Sequence, residues 1–274
     1  MFVIKVGKYR VIEKSEIAPG IFSFWLECPE AASCAQPVEP IKPGQFAHIA
    51  VPGNFMLRRP ISICEAKKGD NHNALQGSIR IVFEIKGDGT HALSETAPGD
   101  YLDIIAPLGK GFKIDTKYKN PCVIGGGIGV PPLLELTKHL KNPVAILGFS
   151  NKRSVILRDE FTKSADVYIT TDEKSEFFYG NVTDKLKHLS ESHPVPDIIY
   201  ACGPVPMLNA IINFAKKNNI PAQLSLEQRM ACGVGACLVC ACKAKTVKNG
   251  EYYAHVCKDG PVFDIEELPG FLSV

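Results

Sequence analysis

The stretch PCVIGGGIGVPPLLELTKHL, residues 121–140, marks the point at which the sequence pattern changes and the fold is decided. An apolar run leads into a glycine-rich loop, two prolines follow, and apolar residues then recur at helical spacing. This order predicts a strand, a turn and a helix. The same rhythm continues through NPVAILGFS, ADVYITTD, DIIYACGP, MLNAIINFAKKNN and PAQLSL. Apolar strands that alternate with amphipathic helices are typical of a doubly wound parallel sheet.

Residues 1–112, upstream of this stretch, follow a different pattern. Apolar and polar residues alternate with a period of two in short segments, and Gly, Pro and Asn separate the segments, which predicts strands joined by turns. The predicted strands are KVGKYRVIEKSEI, IFSFWLEC, GQFAHIAV, ISICEA, SIRIVFEIK and DYLDIIAPLG. Many short strands of this kind favour an antiparallel barrel or a sandwich.

We therefore predict an α+β multidomain chain with three parts. Residues 1–114 form an antiparallel β-barrel, residues 115–220 form a doubly wound parallel α/β domain, and residues 221–274 form a small module rich in Cys and Gly. A chain of 274 residues is long enough for two compact domains and such an appendage.

Composition and charge limit the function. The chain has 31 basic and 29 acidic residues and a formal net charge of +2, which does not favour nucleic acid as a partner. The first residues, MFVIKVGKYRVIEK, alternate like a strand and lack the apolar core of a signal peptide, and the sequence has no apolar run of membrane-spanning length. We therefore expect a cytoplasmic protein, without a membrane partner, in which thiols stay reduced and a disulfide framework is not formed.

The segment RMACGVGACLVCACK, residues 229–243, contains four of the ten cysteines. Three of them have the spacing C-x4-C-x2-C and a fourth follows later in the chain, as in plant-type [2Fe–2S] proteins. The predicted ligands are Cys232, Cys237, Cys240 and Cys257. Zinc is the alternative, although zinc sites usually draw their ligands from two short pairs. Cys242 fits no ligand spacing, and Cys28 and Cys34 lie in a predicted surface loop, so all three are predicted to be bystanders.

Four further motifs are weaker alone. RRPIS (58–62) places two arginines at a strand, and GDGTHALSE (87–95) places Gly89 and Thr90 at a helix start, where anions bind readily. GGGIGVPP (125–132) follows a strand and opens a helix but lacks the G-x-G-x-x-G spacing. ACGPVPM (201–207) ends a later strand of the same sheet, at the edge where open α/β sheets bind ligands.

In this order the motifs resemble those of the ferredoxin reductase superfamily. The C-terminal block, SLEQRMACGVGACLVCACK through VCKDGPVF, is similar to the electron-transfer subunits of NAD-dependent, B-class dihydroorotate dehydrogenases. The resemblance implies FAD in the barrel, NAD in the α/β domain and a [2Fe–2S] cluster in the C-terminal module. It also implies a separate FMN-containing dihydroorotate dehydrogenase catalytic subunit as the partner, with two copies of each chain in the assembly.

The resemblance assigns roles to residues that match the family's motifs. The flavin site comprises Arg59, Pro60, Ile61, Ser62, Val82, Phe83, Glu84, Gly89 and Thr90, with Ile61 at a position where many superfamily members have Tyr. The NAD site comprises Gly125, Gly126, Gly127, Gly129, Asp172 and Gly203, with Cys202 as the catalytic residue beside the nicotinamide. Asp172 would repel a 2′-phosphate and accept hydrogen bonds from ribose hydroxyls, so we expect NAD rather than NADP.

The implied function is electron transfer from the partner's FMN through the cluster and FAD to NAD+, in pyrimidine biosynthesis. The chain alone is not expected to oxidise dihydroorotate. The small residues Gly233, Gly235 and Ala236 in the cysteine loop are expected to allow close approach of the electron donor. Two alternatives remain open: a flavin and iron–sulfur subunit of a ferredoxin:NAD(P), hydrogenase or sulfur-reducing complex, and a zinc-stapled binding module without a redox role.

Overall fold

The N-terminal part of the chain is a closed six-stranded barrel. The computed structural model describes residues 5–28, 41–67, 77–191, 194–246, 250–269 and 272, so the prediction for Cys34 lies outside the described residues. The barrel strands are β1 (Lys5–Ala18), β2 (Ile21–Glu27), β3 (Phe46–Ile49), β4 (Arg59–Lys67), β5 (Ser78–Glu84) and β6 (Tyr101–Leu108), in the spatial order β1-β2-β5-β4-β3-β6. All pairs are antiparallel, so the predicted barrel is confirmed.

Side chains along each barrel strand point alternately inward and outward, and the inward ones form the barrel core. Inward positions of successive strands supply Phe24, Leu26, Ile49, Ile81 and Phe83, all at most 1% exposed. Burying an aliphatic or aromatic side chain of this size stabilises the fold by about 1.5–3 kcal/mol. Closure removes the free edges that an open sheet would leave, and a short helix, α1 (Asp88–Ser94), connects β5 to β6.

The second part of the chain is a seven-stranded sheet. Its strands are β7 (Pro121–Gly126), β8 (Val144–Phe149), β9 (Asp166–Thr171), β10 (Phe178–Tyr179), β11 (Ile198–Cys202), β12 (Ala222–Ser225) and β15 (Val262–Asp264), in the order β10-β9-β8-β7-β11-β12-β15. The helices between them are α2 (Leu134–Lys138), α3 (Arg158–Phe161), α4 (Val182–Ser190) and α5 (Val205–Lys217). Every pair is parallel except β12 with β15, which confirms the predicted doubly wound sheet.

The cysteine-rich segment is joined to this sheet at its edge. Between β12 and β15 lie the cysteine loop and a two-stranded hairpin formed by β13 (Ala241–Thr246) and β14 (Gly250–His255). The chain then returns as β15, antiparallel to β12. Two strands that follow residue 220 therefore extend the sheet, and the predicted division of the chain at residues 114 and 220 stays a prediction.

A buried group of charged side chains links the barrel to the sheet domain. Arg80 of β5 pairs with Glu65 of β4 at 2.7 Å, and also with Glu160 of α3. Lys138 of α2 pairs with the other oxygen of Glu65. Burial alone would raise the pKa of Glu65, but hydrogen bonds from Lys138 and Arg80 hold that pKa below its ordinary value. The pairs cross from barrel strands to helices of the sheet domain and fix one against the other. Removing Arg80 would leave the buried carboxylate of Glu65 with the more exposed Lys138 as its remaining partner in this group.

Candidate functional site

The four predicted ligand cysteines lie together as two pairs. The Sγ of Cys237 is 3.4 Å from the Sγ of Cys232. Cys240 and Cys257, which are both buried, form the second pair, and a hydrogen bond joins their thiols. Burial and this hydrogen bond raise the pKa of Cys257 to about 12. A [2Fe–2S] cluster has two irons and four thiolate ligands, so two sulfur pairs match its donor set.

Backbone N–H groups of the cysteine loop point at these sulfurs. Gly235 donates to the Sγ of Cys257 at 3.1 Å, and Ala236 donates to the Sγ of Cys232 at 3.3 Å. Gly233 and Gly235 have φ angles of +71° and +80°, a region that favours glycine. A β-carbon on Gly235 would also collide with Lys258. Both glycines are therefore needed for the loop conformation, and the predicted role of these small residues in donor approach stays a prediction.

The hydrogen bonds favour the ligand form of Cys232. Burial acts to raise its pKa, but the N–H groups of Val234 and Ala236 and the thiol of Cys237 outweigh that effect and lower the pKa to about 6. The thiolate is the form that binds metals. In the part of the chain that the structure describes, no three or more Cys, His, Asp or Glu side chains converge on a single ion position. Two pairs suit a two-iron cluster better than one zinc ion.

The two arginines of RRPIS have different surroundings. Arg58 donates to the carboxylate of Asp103 at 2.7 Å and to its backbone carbonyl at 2.8 Å, so its guanidinium is occupied in holding β6. Arg59 donates to the carbonyl of Leu57, and among the described residues it pairs with no carboxylate. The structure therefore leaves Arg59 the better placed of the two to bind an anion.

Arg59 and the GDGT motif converge. The guanidinium of Arg59 lies so close to Gly89 that a β-carbon on Gly89 would stand 2.6 Å from its Nε. Gly89 is in the first turn of α1, where N–H groups have no partner within the helix. Thr90 holds this turn, since its Oγ1 accepts hydrogen bonds from the N–H groups of Lys86 and Gly87. A guanidinium beside free N–H groups forms a cradle for phosphate oxygens, and this fits the pyrophosphate of FAD.

The remaining flavin-motif residues lie on β4 and β5. Pro60 and Ser62 of β4 pair with His48 and Phe46 of β3, and Ile61 is partly buried against the barrel core. The side chain of Phe83 points into the barrel, with its ring centroid 5.2 Å from that of Phe24, so its backbone alone can face a ligand.

The other two predicted residues of β5 lie outside the barrel core. Val82 belongs to the same buried cluster as Val130 and Leu133 of the sheet domain. Glu84 is partly exposed and lies 3.6 Å from Lys86. The strand thus turns one face to the barrel interior and the other to the boundary with the sheet domain.

The glycine loop after β7 and the CGP segment after β11 are in contact. β7 and β11 are parallel neighbours, with Gly125 opposite Cys202, so their C-terminal ends meet at one edge of the sheet. A β-carbon on Gly129 would stand 2.5 Å from the carbonyl oxygen of Cys202 and 2.7 Å from the Cα of Gly203. One on Gly127 would meet no atom within 4 Å, so this side of the loop is open. Gly126 packs against Met207 of α5.

Two further predicted NAD residues lie at the same edge. Burial raises the pKa of the Cys202 thiol to about 12, which keeps it protonated near neutral pH. Asp172 is exposed directly after β9, and its N–H donates to the carbonyl of Phe149 at the end of β8. The structure therefore brings the glycine loop, Cys202, Gly203 and Asp172 to the C-terminal edge of adjacent strands, where ligands bind in open α/β sheets.

His48 is a residue that the sequence patterns did not reveal. It is fully buried on β3, and neither ring nitrogen has a hydrogen-bond partner within the described ranges of the chain. It lies against Gly233 of the cysteine loop. Its position in GQFAHIAV indicates only a strand residue, and the contact depends on how the barrel packs against the loop.

Comparisons with known proteins agree with this arrangement. Residues 227–269 match the family model described as the iron-sulfur cluster binding domain of dihydroorotate dehydrogenase B. The electron transfer subunit of dihydroorotate dehydrogenase B (NAD(+)) from Geobacillus thermodenitrificans is 41% identical over 235 residues, which cover 83% of this chain and 86% of the relative. The corresponding subunit from Streptococcus pneumoniae is 38% identical over 268 residues, which cover 95% of this chain and 97% of the relative.

Solved structures show the same architecture. A structure of NADH-dependent reduced ferredoxin-NADP oxidoreductase matches with a TM-score of 0.77 and 28% identity, covering 95% of this chain and 89% of the other. Phthalate dioxygenase reductase matches with a TM-score of 0.59 and 19% identity, covering 92% of this chain and 77% of the other, and this match supports the fold alone.

A closed barrel, a parallel sheet with a glycine loop at its C-terminal edge, and a four-cysteine module define an iron–sulfur oxidoreductase of the ferredoxin reductase type. Within that class, this chain belongs to the family of electron transfer subunits of NAD(+)-dependent dihydroorotate dehydrogenase B. The resemblance predicted from the sequence is thereby confirmed. None of the helices in the described ranges has the length and apolar character needed to cross a membrane.

The cysteine pairs generate the first prediction. Replacing Cys232, Cys237, Cys240 or Cys257 with Ser removes a thiolate, so the visible absorbance of the cluster should be lost. The wild-type chain, prepared without air, should contain about two irons and two sulfides. Cys242→Ser is the matched control and should keep the iron, because Cys242 lies in β13 outside the two pairs. Stoichiometric zinc without sulfide in the wild-type chain would contradict the assignment.

The second prediction concerns Arg59. Arg59→Ala removes a charge-assisted contact worth about 1.5–3 kcal/mol, so the affinity for FAD should fall about ten- to a hundredfold. Equilibrium titration of the apoprotein with FAD, followed by flavin fluorescence, measures the change. Arg153→Ala is the control, because Arg153 is an exposed arginine on the loop after β8. Equal FAD affinity in the Arg59 and Arg153 variants would show that RRPIS does not bind the pyrophosphate.

Proposed function

We propose that this chain is the electron-transfer subunit of a dihydroorotate dehydrogenase B and carries electrons from an FMN-containing catalytic subunit to NAD+. The observation that carries the proposal is the contact between the cysteine loop and the barrel. Gly233, inside the ligand loop, packs against His48 on the strand that neighbours the flavin motif. This contact supports the proposal, because it joins the proposed cluster loop to a strand beside the proposed flavin site.

The barrel residues are proposed to bind FAD. Arg59 and the first turn of α1 hold the pyrophosphate, Thr90 shapes that turn, and Pro60, Ile61 and Ser62 place the strand beside the flavin ring. Val82 and Glu84 flank the ring from β5, with the backbone of Phe83 between them. Bound FAD supplies the exchange between single electrons and a hydride.

The C-terminal edge of the sheet is proposed to bind NAD. Gly125, Gly126, Gly127 and Gly129 let the dinucleotide approach the backbone, and Asp172 selects the unphosphorylated ribose. Cys202 and Gly203 lie beside the nicotinamide. Because the thiol of Cys202 stays protonated near neutral pH, its role is to contact and orient the ring and not to act as a base.

The cysteine loop is proposed to hold the cluster and to dock on the catalytic subunit. Cys232, Cys237, Cys240 and Cys257 are the ligands, and the cluster supplies one-electron transfer. Three large apolar side chains are exposed around them: Leu238 at 74%, Val239 at 53% and Val234 at 44%. Apolar side chains exposed together on a surface commonly mark a protein interface. We propose that the catalytic subunit docks on this surface, and that two copies of each chain assemble in the cytoplasm.

An electron-transfer subunit for a ferredoxin or NADP partner is the second candidate. The structural match to a ferredoxin-NADP oxidoreductase favours it, at 28% identity. The relatives at 38–41% identity over most of the chain favour the dihydroorotate assignment. The two candidates share the barrel, sheet and cluster and differ in the protein that supplies electrons, so the partner decides between them.

The third prediction tests the proposal directly. The chain alone should oxidise NADH with an artificial acceptor and leave dihydroorotate unchanged. With an FMN-containing dihydroorotate dehydrogenase subunit added, dihydroorotate should reduce NAD+. Dihydroorotate oxidation by the chain alone, or co-purification with a hydrogenase or ferredoxin-linked subunit only, would contradict the assignment.

A surface variant locates the docking site in the same assay. Leu238→Glu places a charge among the exposed apolar residues, so it should reduce dihydroorotate-dependent NAD+ reduction at least tenfold and leave the artificial-acceptor rate unchanged. Val195→Glu is the matched control. Val195 is 50% exposed and precedes β11, at the amino-terminal edge of the sheet. Equal effects of the two substitutions would contradict docking through the cysteine loop.

A further inference from the structure

His48 is a buried polar side chain that the proposed roles above do not use. Its side chain is 0% exposed, and both ring nitrogens lack a hydrogen-bond partner among the protein groups that the structure describes. Buried polar groups in folded proteins nearly always have a partner. Because the described protein groups offer the ring nitrogens of His48 no partner, we expect the hydrogen-bond partner to be a group that binds beside the ring.

The strand register places His48 on the face of the barrel that carries the flavin motif. Ala47 and Ile49 point into the barrel core, so Phe46 and His48 point outward. His48 is opposite Pro60 and Phe46 is opposite Ser62. Directly opposed residues share one face of a sheet. The imidazole therefore stands on the same outer face as Pro60 and Ser62.

The other side of His48 contacts the cysteine loop. A β-carbon on Gly233 would stand 2.5 Å from the Nδ1 of His48, closer than any side chain allows. Phe46, the neighbouring outward residue of β3, belongs to the same buried cluster as Cys240 and Cys257. The outer face of β3 is thus packed against the cysteine module, and His48 lies between the flavin strand and the ligand loop.

The imidazole is neutral in this position. Burial, together with the positive charge of Arg58, lowers the pKa of His48 to about 4. A neutral imidazole has one N–H donor and one acceptor nitrogen. It can therefore donate one hydrogen bond without bringing a charge into the junction.

We propose that His48 is a positioning residue of the electron-transfer junction, and that its ring N–H donates a hydrogen bond to a sulfur of the cluster held by the 232–237 loop. The inference rests on the proposed function, because it requires the cluster. Hydrogen bonds to cluster sulfurs stabilise the reduced, more negative state and so raise the reduction potential. His48 thereby sets the potential of the cluster on its flavin side.

The fourth prediction compares His48→Phe and His48→Gln in the holoprotein. Phe keeps a planar ring but has no N–H, so the midpoint potential of the cluster should fall by ~59 mV. This shift corresponds to about a tenfold change in the equilibrium constant of a one-electron reduction. Gln keeps an N–H donor and should restore at least half of the shift. An anaerobic redox titration monitored by EPR measures the potential, and iron, sulfide and FAD contents are determined on the same samples. His139→Phe is the control and should match the wild type, because His139 directly follows α2 and its side chain is 53% exposed.

A Phe variant with full iron and FAD and with wild-type potential and g values would overturn the inference and leave the proposed function intact. A wild-type chain without iron and sulfide would overturn both. Should the Phe variant fail to assemble a cluster, the wild-type chain with 15N-labelled histidine still tests the inference by pulsed EPR of the reduced cluster. A ring-nitrogen coupling that disappears in His48→Gln supports it. A coupling that is absent, or that disappears only in His255→Gln, two residues from Cys257, refutes it.

Discussion

The absence of a β-carbon at three glycines is the constraint on which all three candidate cofactor sites depend. At each glycine, another group fills the space that a side chain would need. This group is the guanidinium of Arg59 at Gly89, the backbone of Cys202 at Gly129 and the imidazole of His48 at Gly233. Each contact joins segments that are far apart in the sequence. A larger residue at Gly129 would force two backbone segments apart, and one at Gly89 or Gly233 would displace the guanidinium of Arg59 or the imidazole of His48, so each site would lose its shape.

Together, the three contacts link segments of the sheet domain, the barrel and the cysteine loop. Gly129 joins two loops at the sheet edge, Gly89 joins the flavin strand to α1, and Gly233 joins the barrel to the cysteine loop. The buried pairs of Arg80 with Glu65 and Glu160 hold the barrel against the sheet domain, so the distances between the sites are fixed by structure. Electron transfer needs such fixed distances, while the chemistry itself belongs to the cofactors.

Much of this could be predicted from the sequence, because it depends on local patterns. Period-two alternation predicted the barrel strands, and the alternation of apolar runs with helical segments predicted the parallel sheet. The spacing C-x4-C-x2-C pointed to four cysteines that the structure brings together as two pairs, and their role as ligands stays a prediction. Other features depend on packing between distant segments. The occupation of Arg58 by Asp103, the inward direction of Phe83 and the return of β15 to the sheet have no local signal. His48 has none either, because a strand pattern gives the direction of a side chain and not the loop that covers it.

The central claim is that one chain connects a nucleotide site, a flavin site and a cluster. The most direct test is to add NADH to the purified chain without air and without any partner, freeze the sample and record its EPR spectrum at low temperature. The account predicts that flavin absorbance bleaches and that the signal of a reduced [2Fe–2S] cluster appears at the same time. Bleached flavin with no cluster signal, in a sample whose cluster dithionite does reduce, would contradict it.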